Sequence, residues 1–341
     1  MRSTAVPSVG TTPGQALDAY FSTEKIGRAS NTYLKIGWLL DGRSIELSIE
    51  GVAVRDLNFG LKQLSERNKD GSFATRANRD RMLSLIAEQL WEEGFKKMTP
   101  QDLGGRHVNR LIERWQREGL AAGTVKNRMA ALRWWAEKVG RDSVIHRDND
   151  HYGIEQRRFV TNESKARELP ADALAKVTNP YVRMSLELQR EFGLRREEAI
   201  KFQPRFADRE TSICLKASWT KGGKPREIPV LTASQREVLD RAHKLAGSSS
   251  LIPPDMKYIQ QVKIYERQAL DAGLNKMHGL RHCYAQRRYA ELTGWPAPAV
   301  GGPTSKQLTS EQKVLDRGAR LIISKELGHE REQITAVYLG R

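Results

Sequence analysis

The sequence predicts an α+β protein, in which a small all-α domain is followed by a mixed α/β domain. Its 341 residues are enough for two domains. Between residues 60 and 140, apolar side chains recur at the three- and four-residue spacing of helices, whereas alternating β-branched segments are short and lie mainly further on. A polar and charged stretch at 141–170 separates the two parts, as expected of a linker between domains.

The first 55 residues carry the weakest signals. Residues 1–30 are rich in Ser, Thr, Gly, Pro and Ala, a composition that predicts a flexible tail. Residues 44–54 alternate and are β-branched, which predicts a short strand or hairpin. Residues 1–55 are therefore interpreted as a tail or a small extra unit.

Three helices are predicted between residues 60 and 140. Leu83, Ile86 and Leu90 share one helical face. Thr99-Pro100 is typical of a helix start, and the helix that follows carries apolar residues at i, i+3, i+4 and i+7 from Val108 onward. A third helix begins near residue 124.

That third helix also carries basic side chains off its apolar face, namely Lys126, Arg128 and Arg133. They are candidate contacts to a polyanion. A solvated helix face is the plainer interpretation of the same pattern.

The second domain alternates helices with two short strands. A helix ending near Gly193 is followed by strands at 210–219 and 225–230, with the turn-rich TKGGKP sequence between them. Further helices are predicted after Thr232, over 255–271 and over 278–292. A Gly/Pro-rich loop at 294–305 follows.

Charge and composition exclude several classes of protein. The net charge is +16, with zero in residues 1–60, +5 in residues 61–150, −1 in residues 151–155 and +12 in residues 156–341. This excess in two folded segments favours a nucleic-acid partner. The apolar runs are too short for a membrane span, and the N-terminus lacks the apolar segment of a signal peptide. Two cysteines form neither a disulfide framework nor a thiolate metal site, so we expect a cytoplasmic protein.

Five short segments carry residues suited to phosphate chemistry. In chain order they are GLRREE at 193–198, TKGGKPR at 220–226, HGLRH at 278–282, LGH at 327–329 and the tyrosine at 338. Each segment is weak evidence alone. Their order, and the position of the tyrosine nine residues after the histidine of LGH, make a strong combined signal.

This set resembles the tyrosine recombinase, or phage integrase, family over roughly residues 60–341, and most closely the integrases of integrative and conjugative elements. The resemblance implies a SAM-like core-binding domain at 56–145, a linker at 146–164 and a catalytic domain at 165–341, closing as a clamp around DNA. The residues that match family positions are Arg195, Lys221, His278, Arg281, His329 and Tyr338, with Glu198 and His282 in supporting positions.

The chemistry of these residue types fits the roles that the resemblance implies. Two guanidiniums can neutralise the charge that builds on a phosphodiester under attack, so neither a metal ion nor another cofactor is expected. Tyr338 can attack phosphorus and store the bond as a phosphotyrosyl ester. His278 can accept the tyrosine proton, Lys221 can protonate the leaving 5′ oxygen, and His329 can bond the same phosphate.

Plainer interpretations exist for several of these residues. Arg195 and Glu198 have the spacing of an exposed ion pair on a helix. Lys221 and Lys224 could both be ordinary turn lysines, and Lys224 is also a candidate DNA contact. The i, i+4 spacing of the two histidines in HGLRH suits zinc, but glycine replaces the glutamate of that motif and no third ligand is evident.

The sequence departs from the family in two places. It ends three residues after Tyr338, so the C-terminal segment that many members dock onto a neighbour is not expected here. His329 follows Arg281 by 48 positions, a long separation that includes the Gly/Pro loop, and we interpret 293–320 as an insertion. It could serve subunit contact, shield Tyr338 or be a mobile loop.

The family implies further partners and two rival functions. We expect double-stranded DNA recombination sites, a homotetramer acting through a Holliday junction, a monomer free in solution and an excisionase-type accessory factor, in a prokaryotic cytoplasm. Residues 1–55 could bind accessory DNA sites, although their zero net charge argues against it. A type IB topoisomerase and a DNA-binding module without catalysis are the rivals, and the intact residue set argues against the latter.

Overall fold

The chain divides between residues 157 and 158 into two compact units. The computed structural model describes residues 56–157, 159–329 and 331–341, together with the backbone of three strands between residues 19 and 49. In this part of the chain no helix has the length and apolar character needed to cross a membrane.

An antiparallel sheet of three strands precedes the helices, in the order β1 (Ala19–Lys25), β2 (Thr32–Leu40) and β3 (Arg43–Ile49). The strand predicted from residue 44 is confirmed up to residue 49, and the rest of that segment lies outside the described residues. The flexible tail predicted for residues 1–30 is wrong for β1. Its aromatic and β-branched residues pair in register with β2, as Phe21 does with Ile36.

Four helices form the rest of the first unit. They are α1 (Asp56–Arg67), α2 (Phe73–Glu92), α3 (Gly105–Arg117) and α4 (Ala122–Lys138). The predicted apolar faces of α2, α3 and α4 are buried in one core. Trp115 and Trp135 lie at its centre, where their indole N–H groups donate to Gln89 Oε1 and the Pro100 carbonyl, both at 2.9 Å.

Two boundaries differ from those that the sequence predicts. Thr99-Pro100 begins a single 3₁₀ turn at Pro100–Asp102, and α3 starts only at Gly105. The core of the first unit also includes Ile154, which lies inside the predicted linker. Because Ile154 is an apolar side chain in a polar stretch, it can be buried only by packing back onto the helices.

The second unit is mostly helical. Its elements are α5 (Ala171–Lys176), α6 (Pro180–Phe192), α7 (Arg196–Ile200), α8 (Pro204–Ala207), β4 (Ser212–Leu215), β5 (Arg226–Pro229), α9 (Ala233–Ala246), α10 (Tyr258–Asp271), α11 (Gly279–Thr293), α12 (Ser310–Glu326) and α13 (Glu332–Leu339). The two predicted strands pair as an antiparallel hairpin, with Ile213 opposite Ile228. The buried helix α11 packs against α6, α12 and α13 and so joins the segments that carry the motifs.

The Gly/Pro-rich loop is packed against the end of α13. It contains a 3₁₀ turn at Pro298–Val300, in which Pro298 and Ala299 are buried. The backbone of Gly340 lies so close that a Cβ there would stand 2.8 Å from the Ala299 nitrogen. The loop therefore contacts the segment that follows Tyr338.

Candidate active site

The second unit brings together five of the six predicted catalytic side chains. Arg195 precedes α7, His278 and Arg281 lie at the start of α11, His329 follows α12, and Tyr338 lies on α13. Four different elements therefore supply the site, and the packing of α11 against α12 and α13 determines its geometry.

Two guanidinium groups converge on one backbone carbonyl. Arg281 is 1 % exposed and donates from Nη1 to the Gly193 carbonyl at 2.6 Å and from Nη2 to the Leu327 carbonyl. Arg195 Nη2 lies 3.4 Å from the same Leu327 oxygen. Burial lowers the pKa of Arg281 to about 10, so this side chain is still a cation at neutral pH. The two arginines form a positively charged site that is suited to binding an anion.

A buried carboxylate positions Arg195. Glu198 is fully buried and accepts hydrogen bonds from the Arg195 backbone N–H at 2.6 Å and from its Nη1 at 2.7 Å. Arg226 on β5 donates to both Glu198 oxygens at 2.7 Å. Burial alone would raise the pKa of Glu198, but the hydrogen bond and charge of Arg226, with Arg281 and Arg195, lower it to about 2. The pair is thus internal, unlike the exposed ion pair that its spacing also permits.

Arg226 is a positioning residue that the sequence interpretation missed. Its Nε donates to the Glu326 carbonyl at 2.9 Å, next to the LGH segment. A Cβ at Gly328, whose φ is +63°, would lie 2.8 Å from Arg226 Cδ, so glycine is required for this approach. A usable signal exists in the sequence. Alternation in β5 places Arg226 on the same buried face as Ile228, where an arginine needs a partner.

We expect Arg226→Met to lower the free energy of unfolding by about 3–5 kcal/mol, because it removes two of the hydrogen bonds to a buried carboxylate. Arg196→Met is the matched control. Its partner Glu266 is as exposed as Arg196 itself, so the loss should be about 1 kcal/mol or less. Urea unfolding of the three proteins measures both values. Equal losses in the two variants would contradict the structural role of Arg226.

Tyr338 is 7 % exposed and surrounded by the three histidines of the motifs. Its hydroxyl lies 3.2 Å from His278 Nε2. The rings of His282 and His329 lie 4.4 and 5.2 Å from the tyrosine ring, centroid to centroid. His329 Nε2 also lies 3.5 Å from Arg281 Nη2. The nucleophile candidate and its proton acceptor are therefore in contact.

Burial and the neighbouring arginines keep the histidines neutral. Burial, then the charges of Arg281 and Arg195, lower the pKa of His278 below 6.5. The same causes lower the pKa of His329 to about 3, and burial with the charge of His278 lowers that of His282 to about 4. A neutral His278 can accept the proton of Tyr338, and it loses that ability only as the pH falls through its lowered pKa.

The hairpin lysines line the cavity beside this cluster. A cavity of about 1730 Å³ is bordered by Arg195, His278 and Tyr338 on one side and by the exposed Lys221 and Lys224 on the β4–β5 turn. Both lysines border the same space, so the choice between them stays a prediction.

Among the basic residues of α4, Arg128 has a different environment from the one that the sequence indicates. Arg128 is buried, not off the packing face. Its guanidinium lies 5.4 Å from the Trp115 ring and 3.8 Å from Glu118, and stacking on the indole explains how α4 holds it inside. Arg133 donates to the His146 carbonyl and to Asn149. Lys126 is half-buried.

Comparisons with known proteins give one family. The family model for the N-terminal domain of phage integrases matches residues 54–145, and the model for integrases matches residues 156–287. A search of curated proteins gives no match. The two models cover most of the chain but stop before His329 and Tyr338, whose assignment rests on the geometry described above.

Solved structures show the same fold. The XerH site-specific recombinase in a post-cleavage complex is 15 % identical, with 83 % of this chain and 81 % of that chain covered and a TM-score of 0.53. A lambda integrase tetramer bound to a Holliday junction is 14 % identical, with 90 % and 93 % covered and a TM-score of 0.53. The Tn1549 transposon integrase with transposon right end DNA is 13 % identical, with 83 % and 94 % covered and a TM-score of 0.51.

The fold and the two family models define the class as a DNA integrase with a helical N-terminal domain and a mostly helical second domain. The chain belongs to the phage integrase family of tyrosine recombinases, which confirms the resemblance seen in its sequence.

Proposed function

We propose that the protein cuts and rejoins DNA at specific sites through a 3′-phosphotyrosyl intermediate, in order to integrate or excise a mobile element. The observation that carries the proposal is the convergence of Arg195, Arg281 and Tyr338 beside one basic cavity, with His278 Nε2 3.2 Å from the tyrosine hydroxyl. The mobile element would be an integrative and conjugative element.

The proposed reaction is a pair of transesterifications. In the free protein, Arg195 and Arg281 direct guanidinium N–H groups at the Leu327 carbonyl. When DNA binds, these N–H groups donate to the scissile phosphate instead, and the charge of the two guanidiniums stabilises the pentavalent transition state. The Tyr338 oxygen bonds to phosphorus as its proton passes to His278, and the bond from phosphorus to the 5′ oxygen breaks as Lys221 protonates that oxygen. His329 bonds the same phosphate. A 5′ hydroxyl of the partner strand then reverses these steps.

The protein would act on double-stranded recombination sites as a homotetramer, through a Holliday junction. The solved lambda integrase tetramer, which is bound to such a junction, supports this assembly. We further propose a monomer off DNA, an excisionase-type accessory factor and a prokaryotic cytoplasm. Residues 56–145 would be the core-binding domain, 146–164 the linker and 165–341 the catalytic domain. Lys126, Arg133 and Lys224 would contact phosphates.

Covalent capture tests the proposal. Purified protein is incubated with nicked DNA from its own source without added metal and quenched in detergent, and the DNA that stays attached is sequenced. We expect attachment at one or a few sites, because a nick next to the cut lets the freed 5′ end diffuse away and traps the adduct. Attachment at random positions would favour a type IB topoisomerase. DNA binding without any adduct would favour a module that only binds.

A further inference from the structure

The segment that enters the second unit is tied to the end of the nucleophile helix. Asn162 Nδ2 donates to the Arg341 carbonyl at 2.9 Å, and the Arg341 backbone N–H donates to Asn162 Oδ1 at 2.8 Å. Ser164 Oγ donates to Gln286 Oε1 at 3.0 Å, and Gln286 Nε2 donates to the Tyr338 carbonyl at 2.9 Å. Two routes therefore connect residues 162–164, which we term the strap, to α13.

The backbone conformations of Asn162 and Gly340 favour the contact between the strap and the end of the chain. Asn162 has a φ of +54°, a conformation in which asparagine is one of the few side chains favoured. Gly340 has a φ of +78°, and a Cβ there would stand 2.8 Å from Asn162 Oδ1. The buried Arg320 donates from Nη1 to the Gly340 carbonyl at 2.9 Å on the other side. The backbone just after Tyr338 is thus held by Asn162, Arg320 and the Pro298–Val300 turn.

We propose that the strap holds α13 in the position from which Tyr338 attacks, with Asn162 as the main positioning residue. This inference rests on the recombinase function proposed above.

Asn162→Gly isolates the side-chain bonds, because glycine keeps the positive φ without strain. In DNA-free protein, amide hydrogen exchange of a peptide covering residues 332–341 should become about 10- to 50-fold faster, since two hydrogen bonds that close this end are lost. Glu210→Gly is the matched control, an exposed residue with a φ of +67°.

The second measurement separates positioning from folding. On a saturating nicked site recovered by covalent capture, Asn162→Gly should form adduct about 10- to 100-fold more slowly, because small misplacements of reacting groups cost that much. Its DNA dissociation constant should match that of the wild type, and Glu210→Gly should behave as wild type in both assays. Adduct formation by Asn162→Gly at the wild-type rate would overturn the inference.

The adduct assay tests the recombinase function, and the hydrogen-exchange assay tests the strap independently of it. Absence of adduct with the wild-type protein would refute the recombinase function. The exchange measurement needs no DNA, and unchanged exchange in Asn162→Gly would refute the strap itself.

Discussion

Tyr338→Phe should abolish the covalent DNA adduct and leave DNA binding at the wild-type level. The substitution removes one oxygen atom, and that oxygen contacts His278 Nε2 at 3.2 Å. The ring keeps its packing against His282 and His329, so the fold should lose only about 1 kcal/mol, the usual net value of one hydrogen bond. Without an oxygen nucleophile no phosphotyrosyl ester can form.

The measurement pairs a denaturing gel for adduct with an equilibrium titration for binding. Tyr258→Phe is a suitable control, because Tyr258 is a half-buried tyrosine at the start of α10 and does not border the cavity. It should form adduct at the wild-type rate. An adduct that persists in Tyr338→Phe would assign the nucleophile to another side chain and would remove α13 from the mechanism.

The sequence predicts the candidate site residues better than the contacts around them, because the motif residues are recognisable from their chemical type and their order along the chain. Arginine, histidine and tyrosine at those spacings are interpretable without knowing what surrounds them. Glu198 illustrates the limit. Its spacing from Arg195 predicts a pair, yet the burial that distinguishes an internal pair from a surface one depends on β5, 28 positions further on.

Other features depend on packing between distant segments, which local patterns do not encode. The bonds between Asn162 and Arg341 join residues 179 positions apart. Arg128 shows the opposite error. A basic side chain on a helix is normally solvated, whereas Arg128 is buried against the indole of Trp115 on α3 and lies near the Glu118 carboxylate. Helix faces follow from periodicity, whereas the partners of buried polar groups follow from the tertiary fold.

Arg281→Ala should reduce the rate of adduct formation by about 10²- to 10³-fold, the usual effect of removing a donor that stabilises a developing oxyanion. DNA affinity should fall only modestly, because a single phosphate contact is one among many. The reason for the asymmetry lies in the geometry. Arg281 is buried beneath Tyr338, with its Cζ 5.8 Å from the ring centre, where it can act on the reacting phosphate but not on the flanking duplex.

Arg281→Lys distinguishes the loss of the guanidinium geometry from the loss of the positive charge. Arginine donates from Nη1 to the Gly193 carbonyl and from Nη2 to the Leu327 carbonyl, and a lysine keeps the charge without this two-branched geometry. If the two-branched geometry is needed for cleavage, Arg281→Lys should also be slow at temperatures well below the onset of its own thermal melt. Single-turnover cleavage at saturating DNA and a thermal melt decide the matter. Cleavage by Arg281→Lys at the wild-type rate would mean that charge alone suffices, and near-normal cleavage by Arg281→Ala would remove Arg281 from the site.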